Sequence, residues 1–255
     1  MKYYLNKIEL TKNFRGVWDL DTFKGCINSK LNNNKGCYGI CYATKIAKSK
    51  GYDFSKVIKR HFISDAHFIK IINKIKKIPF VRIGVMCDPS HNWEHTLKIT
   101  NKIKNYQENI IIVTKHLNIL NSKQLENISY LIINTSISAL DKKEEINKKL
   151  FWYNKLKYYC KKSILRVCTA DFNNIKLLKI QEELLNNENV INNILRFPKN
   201  HKLVKDGIIN INKYKFLNSK VYASKHNEKT YFSYCDNCLD LCGANLTQNK
   251  LKRWL

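Results

Sequence analysis

The chain has 255 residues, 44% of them hydrophobic and 26% charged, with 8 Gly and 3 Pro; that supplies a sizeable core and excludes a wholly disordered, collagen-like or linker-rich chain. Lys and Arg outnumber Asp and Glu to give a net charge of +26, so nucleic acid or another polyanion is a fitting partner or substrate, although a chain rich in Lys, Asn and Ile throughout is also what an AT-rich coding sequence produces. No run approaches the ~20 apolar residues of a membrane span, and residues 1–7 lack the apolar stretch and small-residue cleavage site of a secretory signal. The expectation is a cytoplasmic protein with no membrane partner, whose nine cysteines stay reduced and serve metal binding rather than disulfides.

The apolar pattern alternates between short β-branched runs and longer helical stretches. Residues 16–20 read as a first strand, followed by a loop carrying Cys26, Cys37 and Cys41 and by helical periodicity from residue 42 and again over 65–76. A second strand over 80–86 leads to a helix over 93–106, a third strand over 109–114 to a helix over 118–126, and a fourth strand over 130–135 to a long helix over 140–160. Asp141, Glu144 and Glu145 suit the positive end of that helix. A fifth strand over 163–168, a helix over 173–187 and a sixth strand over 193–197 complete the rhythm.

Such alternation predicts parallel strands joined by right-handed crossovers, in either an open doubly wound sheet or a partial (βα)6 barrel. Both architectures place chemistry at the carboxyl ends of the strands. The polar residues collect there: the three loop cysteines after strand one, Cys87-Asp88-Pro89-Ser90-His91 after strand two, Thr114-Lys115-His116 after strand three, residues 134–138 after strand four, and Arg166, Cys168 and Thr169 at strand five, with Arg196 in strand six. Residues 1–198 are expected to form the βα body and residues 199–255 a basic, aromatic C-terminal extension ending in a second cysteine group. The extension's cations and rings, among them Lys213, Tyr214, Lys215 and Tyr222, are the ingredients of a nucleic-acid groove or of a solvated surface over core aromatics.

In the first group, Gly25-Cys26 is followed after ten residues by Cys37, in Gly36-Cys37-Tyr38-Gly39-Ile40-Cys41-Tyr42-Ala43. Three thiolates in a glycine-containing loop can hold three irons of a 4Fe–4S cluster and leave the fourth open to a small molecule. Zinc would want a fourth protein ligand, for which His61 and His67 are candidates. The second group, Cys235, Cys238 and Cys242, has Cys-x2-Cys-x3-Cys spacing; it suits an auxiliary iron–sulfur cluster, a structural zinc completed by a residue such as His226, or a metal-free cap on the open side of the barrel. His91 and His95 lie four residues apart and are expected on one helical face, though Glu94 between them is at the wrong offset for a zinc-protease motif.

The order strand, Gly-Cys, spacer, Gly-Cys-x3-Cys-Tyr-Ala, helix resembles the radical S-adenosylmethionine (radical SAM) superfamily, in particular its phage and prophage three-cysteine family. Residues 134–141 and 165–168 also resemble spore photoproduct lyases. The likeness covers residues 15–200. It departs from the superfamily in its Cys-x10-Cys-x3-Cys spacing, against the usual Cys-x3-Cys-x2-Cys, and in having Tyr42 after the last cysteine rather than an aromatic residue before it.

The resemblance implies a partial (βα)6 barrel, cluster ligation by Cys26, Cys37 and Cys41, and S-adenosylmethionine as cosubstrate. Met86, Cys87 and Asp88 would stand where the superfamily contacts the methionine amino group, with Asp88 in place of a glutamate. Ser136 and Ser138 would face the ribose or carboxylate, and Arg166 would pair with the carboxylate. It implies an external electron donor, reductive cleavage to a 5′-deoxyadenosyl radical, and hydrogen abstraction from a large or anionic substrate. Cys87 and Cys168, at strand ends, would be candidate hydrogen donors or else packed small hydrophobes. The competing expectations are a lyase repairing DNA lesions and a non-catalytic, metal-stabilised nucleic-acid-binding module.

Overall fold

The computed structural model describes residues 6–13, 15–216, 219–227, 238 and 240–246. Its centre is a seven-stranded, mostly parallel sheet of β1 (Thr11–Lys12), β2 (Trp18–Asp19), β3 (Val81–Ile83), β4 (Ile110–Thr114), β5 (Leu131–Ile137), β6 (Lys162–Thr169) and β7 (Val190–Ile194), hydrogen-bonded in that order. Only β1 is antiparallel to its neighbour. The strand order never reverses, so the sheet has no doubly wound switch point. The sheet is open: among the described residues β1 and β7 do not pair.

An unreversed order with crossovers of one hand sends every helix to the same face, and the packing agrees. Ile83, Ile110, Ile112, Leu131 and Ile133 pack against α2 (Asp65–Ile75), α3 (Trp93–Ile103), α4 (Ser122–Glu126) and α5 (Lys143–Leu156). Ile137, Leu165 and Val167 pack against α5 and α6 (Ile175–Leu185). Helix α1 (Tyr42–Ser49) is set apart from this layer and packs Ala43 and Ala47 on Phe54, Cys26, Cys41 and Met86.

The opposite face begins with an apolar row and turns polar toward the carboxyl ends. Ile111, Ile132, Ile164 and Ile191 form the apolar part, and Cys242, Leu241, Ala244 and Leu246 lie on it. This C-terminal piece is a plug on the sheet. Its backbone carbonyls are taken by side chains of the strands: Asn134 Nδ2 donates to Cys242 O at 3.0 Å, and Lys162 Nζ donates to Gly243 O and Ala244 O. Gly243 has φ +97, and a Cβ there would stand 2.7 Å from Ile164 Cγ1. The region beyond 198 therefore shares the core of the body. Ile209–Asn210 pairs with Asp171–Phe172, Ser224 bridges Leu195, and Phe197, Leu203 and Ile209 pack on Ala139, Cys168 and Phe172. Strands β8 (Asn212–Phe216) and β9 (Ser219–Ala223) add a hairpin.

Several expected boundaries move, each for a side-chain reason. The second predicted strand stops at Ile83 because Asp21 draws the N–H groups of Gly84, Val85 and Met86 into a turn, where Gly84 has φ +105. The predicted helix over 118–126 shortens to Ser122–Glu126, opened by a reciprocal Asn121–Gln124 capping box, because Trp93 Nε1 takes the carbonyl of Asn118. Asp141 does not cap the long helix, which runs only over Lys143–Leu156; its carboxylate binds two lysines instead. The sixth strand lies three residues earlier than expected, where Asn192 and Asn193 hide its pattern by bonding Thr169 and Arg166, and Arg196 falls beyond it. No helix among the described residues is long and apolar enough to cross a membrane.

Candidate metal and cofactor site

The three loop cysteines stand beyond the carboxyl end of β2, on a loop tied to the turn after β3. Gly25 N donates to Met86 O at 3.2 Å, Gly25 and Cys87 form a parallel bridge, and Tyr42 Oη donates to Val85 O at 2.6 Å. Asp21, which the sequence reading missed, completes the lock by accepting three successive N–H groups of that turn at 2.6–2.9 Å. Its signal in the sequence was faint, an acidic residue just after a predicted strand.

Cys26, Cys37 and Cys41 are all free, half-buried thiols. Cys26 and Cys41 share an apolar pocket with Met86. Burial raises Cys26 to about 12 and Cys37 to about 11, and the neighbouring thiols add to both shifts. Each of these two sulfurs meets an imidazole: His91 Nε2 lies 3.3 Å from Cys26 Sγ and His116 Nε2 lies 3.1 Å from Cys37 Sγ. Burial lowers the pKa of both histidines against the pull of Asp88. Among the described residues no group of three or more His, Cys, Asp or Glu side chains converges as a metal site would. Two of the three loop sulfurs are thus turned to histidines.

The donor set nonetheless fits a thiolate-bound metal group in kind. It offers three sulfurs free of disulfides on one loop, and Gly36 makes the loop's tight return: with φ +72, a Cβ there would stand 2.3 Å from Cys41 Cβ. Cys41 also precedes the first residue of α1, so its sulfur lies near the positive end of that helix.

Tyr38, between the cysteines, is the keystone of the loop. It holds left-handed backbone (φ 54), its hydroxyl donates to Asp141 Oδ1 at 2.5 Å and is met by Lys115 Nζ, and its carbonyl is taken by His201 Nε2 at 2.8 Å. Lys115 and Lys149 both pair with Asp141, at 2.6 and 2.9 Å. This buried cluster fastens the loop to the ends of β4 and β5, and its two cations against one carboxylate favour negative charge on Cys37.

The other expected site residues fall into two sets. Arg166, Ser136, Cys168 and Asn193 share the polar part of the inner face: Ser136 is level with Arg166, and Cys168 with Asn193. Asn193 orients the pair, accepting from Arg166 at 2.6 Å and donating toward Cys168 Sγ at 3.7 Å. Cys168 packs near Tyr38. Ser138, by contrast, is fully buried and shapes the turn after β5, where its hydroxyl faces Leu140 N at 3.4 Å.

Asp88 is likewise turned inward. Its carboxylate accepts from Ser90 N and Oγ, Thr114 Oγ1, Lys115 N and His116 N, at 2.7–3.1 Å. Burial would raise its pKa, but these donors prevail and lower it. A ligand's amine at Asp88 would have to displace one of five donors. Met86 presents its backbone to the thiol loop, and burial beside Asp21 pushes the Cys87 thiol well up.

The histidines correct the reading further. His91 and His95 do not share a site: His91 belongs to a 3-10 turn over Pro89–Asn92 and faces Cys26, whereas His95, in α3, bonds the carbonyls of Thr22 and Arg60. His61 packs on His95 and His67 on Phe62, so the imidazoles beside the thiols are His91 and His116. Cys235 lies outside the described residues; Cys238 is half-buried, and Cys242 is buried in the apolar row.

No family model matches the chain, and no curated protein or solved structure matches it.

Proposed function

We propose that the chain is a radical SAM enzyme built on a partial βα barrel, with Cys26, Cys37 and Cys41 as the ligands of a 4Fe–4S cluster. The observation that supports this most is that one glycine-turned loop at the carboxyl edge of a parallel sheet carries three free thiols, beside an inner face that turns from isoleucine to Ser136, Arg166 and Asn193. When bound, the cluster would pass one electron from an external donor to the sulfonium of S-adenosylmethionine, which would release methionine and supply a 5′-deoxyadenosyl radical able to take hydrogen from a substrate.

The chain's own residues bind, orient and exclude. Arg166, steadied by Asn193, offers a guanidinium suited to a carboxylate. Asp21 and Tyr42 hold the turn over 84–86 rigid beside the thiols. Cys168 is the better placed of the two candidate hydrogen donors, since it faces the same side as Arg166 and lies near Tyr38. The plug of residues 241–246 closes the apolar end against water. An auxiliary cluster or zinc at Cys235, Cys238 and Cys242 would require Cys242 to leave that row, so Cys242 is read as part of the plug. The net charge of +26 favours a polyanionic substrate, and a DNA lesion is one such target.

The two imidazole–sulfur contacts favour a second reading, a zinc-stabilised nucleic-acid-binding module with mixed Cys and His ligands. One experiment separates them. Anaerobic reconstitution with iron and sulfide is expected to give a brown protein absorbing broadly at about 400 nm, which on reduction releases 5′-deoxyadenosine from S-adenosylmethionine; Cys37→Ala abolishes both. A colourless protein holding stoichiometric zinc rejects the enzyme.

A further inference from the structure

Asp88 reaches both of the histidines that touch the thiols. Its Oδ2 accepts the backbone N–H of His116 at 2.8 Å, and its carbonyl accepts that of His91 at 3.2 Å. The same carboxylate holds Ser90 and Thr114, the residues flanking the two turns, so the loops after β3 and β4 are one rigid unit around a buried anion. From that unit the two imidazoles extend to Cys37 and Cys26.

The proton's position on His91 follows from its surroundings. Nδ1 is buried and has no hydrogen-bond partner, whereas Nε2 has a sulfur at 3.3 Å. A metal-bound thiolate can only accept, so each imidazole makes its sulfur contact a hydrogen bond only with a hydrogen on Nε2. The protonated ring carries one there as well, and His91 is a donor to sulfur in either state.

We infer that Asp88, His91 and His116 form a positioning device for the metal group, in which Asp88 fixes the backbone that carries the two imidazoles and their Nε2–H groups donate to the metal-bound sulfurs of Cys26 and Cys37. The inference rests on the thiolate–cluster reading above and assigns Asp88 a role other than contact with the methionine amine. Hydrogen bonds to cysteinyl sulfur are among the features that set a cluster's potential. They stabilise the more negative reduced state, so the two histidines raise the potential and ease acceptance of the electron.

The test compares His91→Phe and His116→Phe with His91→Gln and His116→Gln in the full chain after anaerobic reconstitution, reading iron per chain and, by a redox titration followed by electron paramagnetic resonance, the midpoint potential. Gln keeps an N–H donor; Phe keeps the bulk without one. All four variants are expected to retain iron. The Phe variants are expected to be at least tenfold less reduced at a fixed potential, which is ~59 mV for a one-electron couple, while the Gln variants stay near the parent. Phe variants with the parent's potential, or Gln variants that fall as far as Phe, overturn the donor role. Loss of iron from any of the four would make the histidines ligands or packing residues and also overturn it. A parent chain that takes up no iron rejects the cluster reading itself, a result distinct from a loaded chain whose potential does not move.

Discussion

Replacing Asp141 with Asn tests whether the buried charge cluster holds the thiol loop in place. The Asp141 side chain is only 2% exposed, and its cations Lys149 and Lys115 are 7% and 18% exposed. Removing one partner of a buried ion pair costs about 3–5 kcal/mol, because the remaining charge stays desolvated. Asn keeps an oxygen for Tyr38 or Lys115 but leaves two ammonium groups facing each other, so a loss of about 3 kcal/mol is expected. At roughly 2–4 °C per kcal/mol for a domain of this size, the melting temperature should fall by roughly 6–12 °C.

Burial would raise the Asp141 pKa, but Lys115 and Lys149 outweigh it and hold the carboxyl at about 2, below its ordinary 3.8. Its stabilising contribution is therefore complete above pH 3.8 and is lost as pH falls toward 2, a limb that Asp141→Asn should lack. Urea unfolding by circular dichroism, at pH 7 and across the acid range, measures both effects. The double variant Asp141→Asn/Lys149→Met should regain part of the loss, since one stranded cation is gone. A single-variant loss below ~1 kcal/mol, with no recovery in the double variant, would refute the reasoning.

Three further outcomes are expected. Gly36→Ala combines a left-handed φ with a Cβ driven into Cys41; strain of ~1–3 kcal/mol should at least halve the iron taken up on reconstitution, and full loading would show that the loop yields freely. Gly243→Ala, pressed against Ile164 at φ +97, should lift the plug and cost ~1–3 kcal/mol in chemical unfolding, where an unchanged midpoint would mean that the plug adds little. Burial outweighs the Arg82 partner of Asp19 at 3.2 Å and lifts its pKa from 3.8 to about 7. The folded state thus favours its protonated form, and stability should fall as pH rises from about 4 to 7; Asp19→Asn should flatten that slope, and parallel profiles for the two proteins would contradict the shift.

The β-branched runs at residues 110–114, 131–135 and 163–168 announced their strands because their isoleucine, leucine and valine side chains are buried on both faces of the sheet, under helices on one side and the C-terminal plug on the other, and the helix faces followed from their own periodicity. Strand β7 was placed late because two of its five residues are asparagines satisfied only by partners on β6. The three cysteines with their glycines were legible as one glycine-turned loop after the strand over 18–19. Tyr38, Asp21, His116 and Asn193 were not, because each acts through partners at least 25 residues away in the chain.

The sequence by itself determined the parallel α/β class, the location of polar chemistry at the strand ends and the basic character of the surface, since periodicity, turn residues and charge are local properties of the chain. Only the tertiary structure decided that the strands run in unreversed order, that the C-terminal residues plug the inner face, and that Asp88 points inward beneath two histidines. Those outcomes depend on which buried polar group finds which distant partner, and a buried carboxylate's role is set by the donors folded around it.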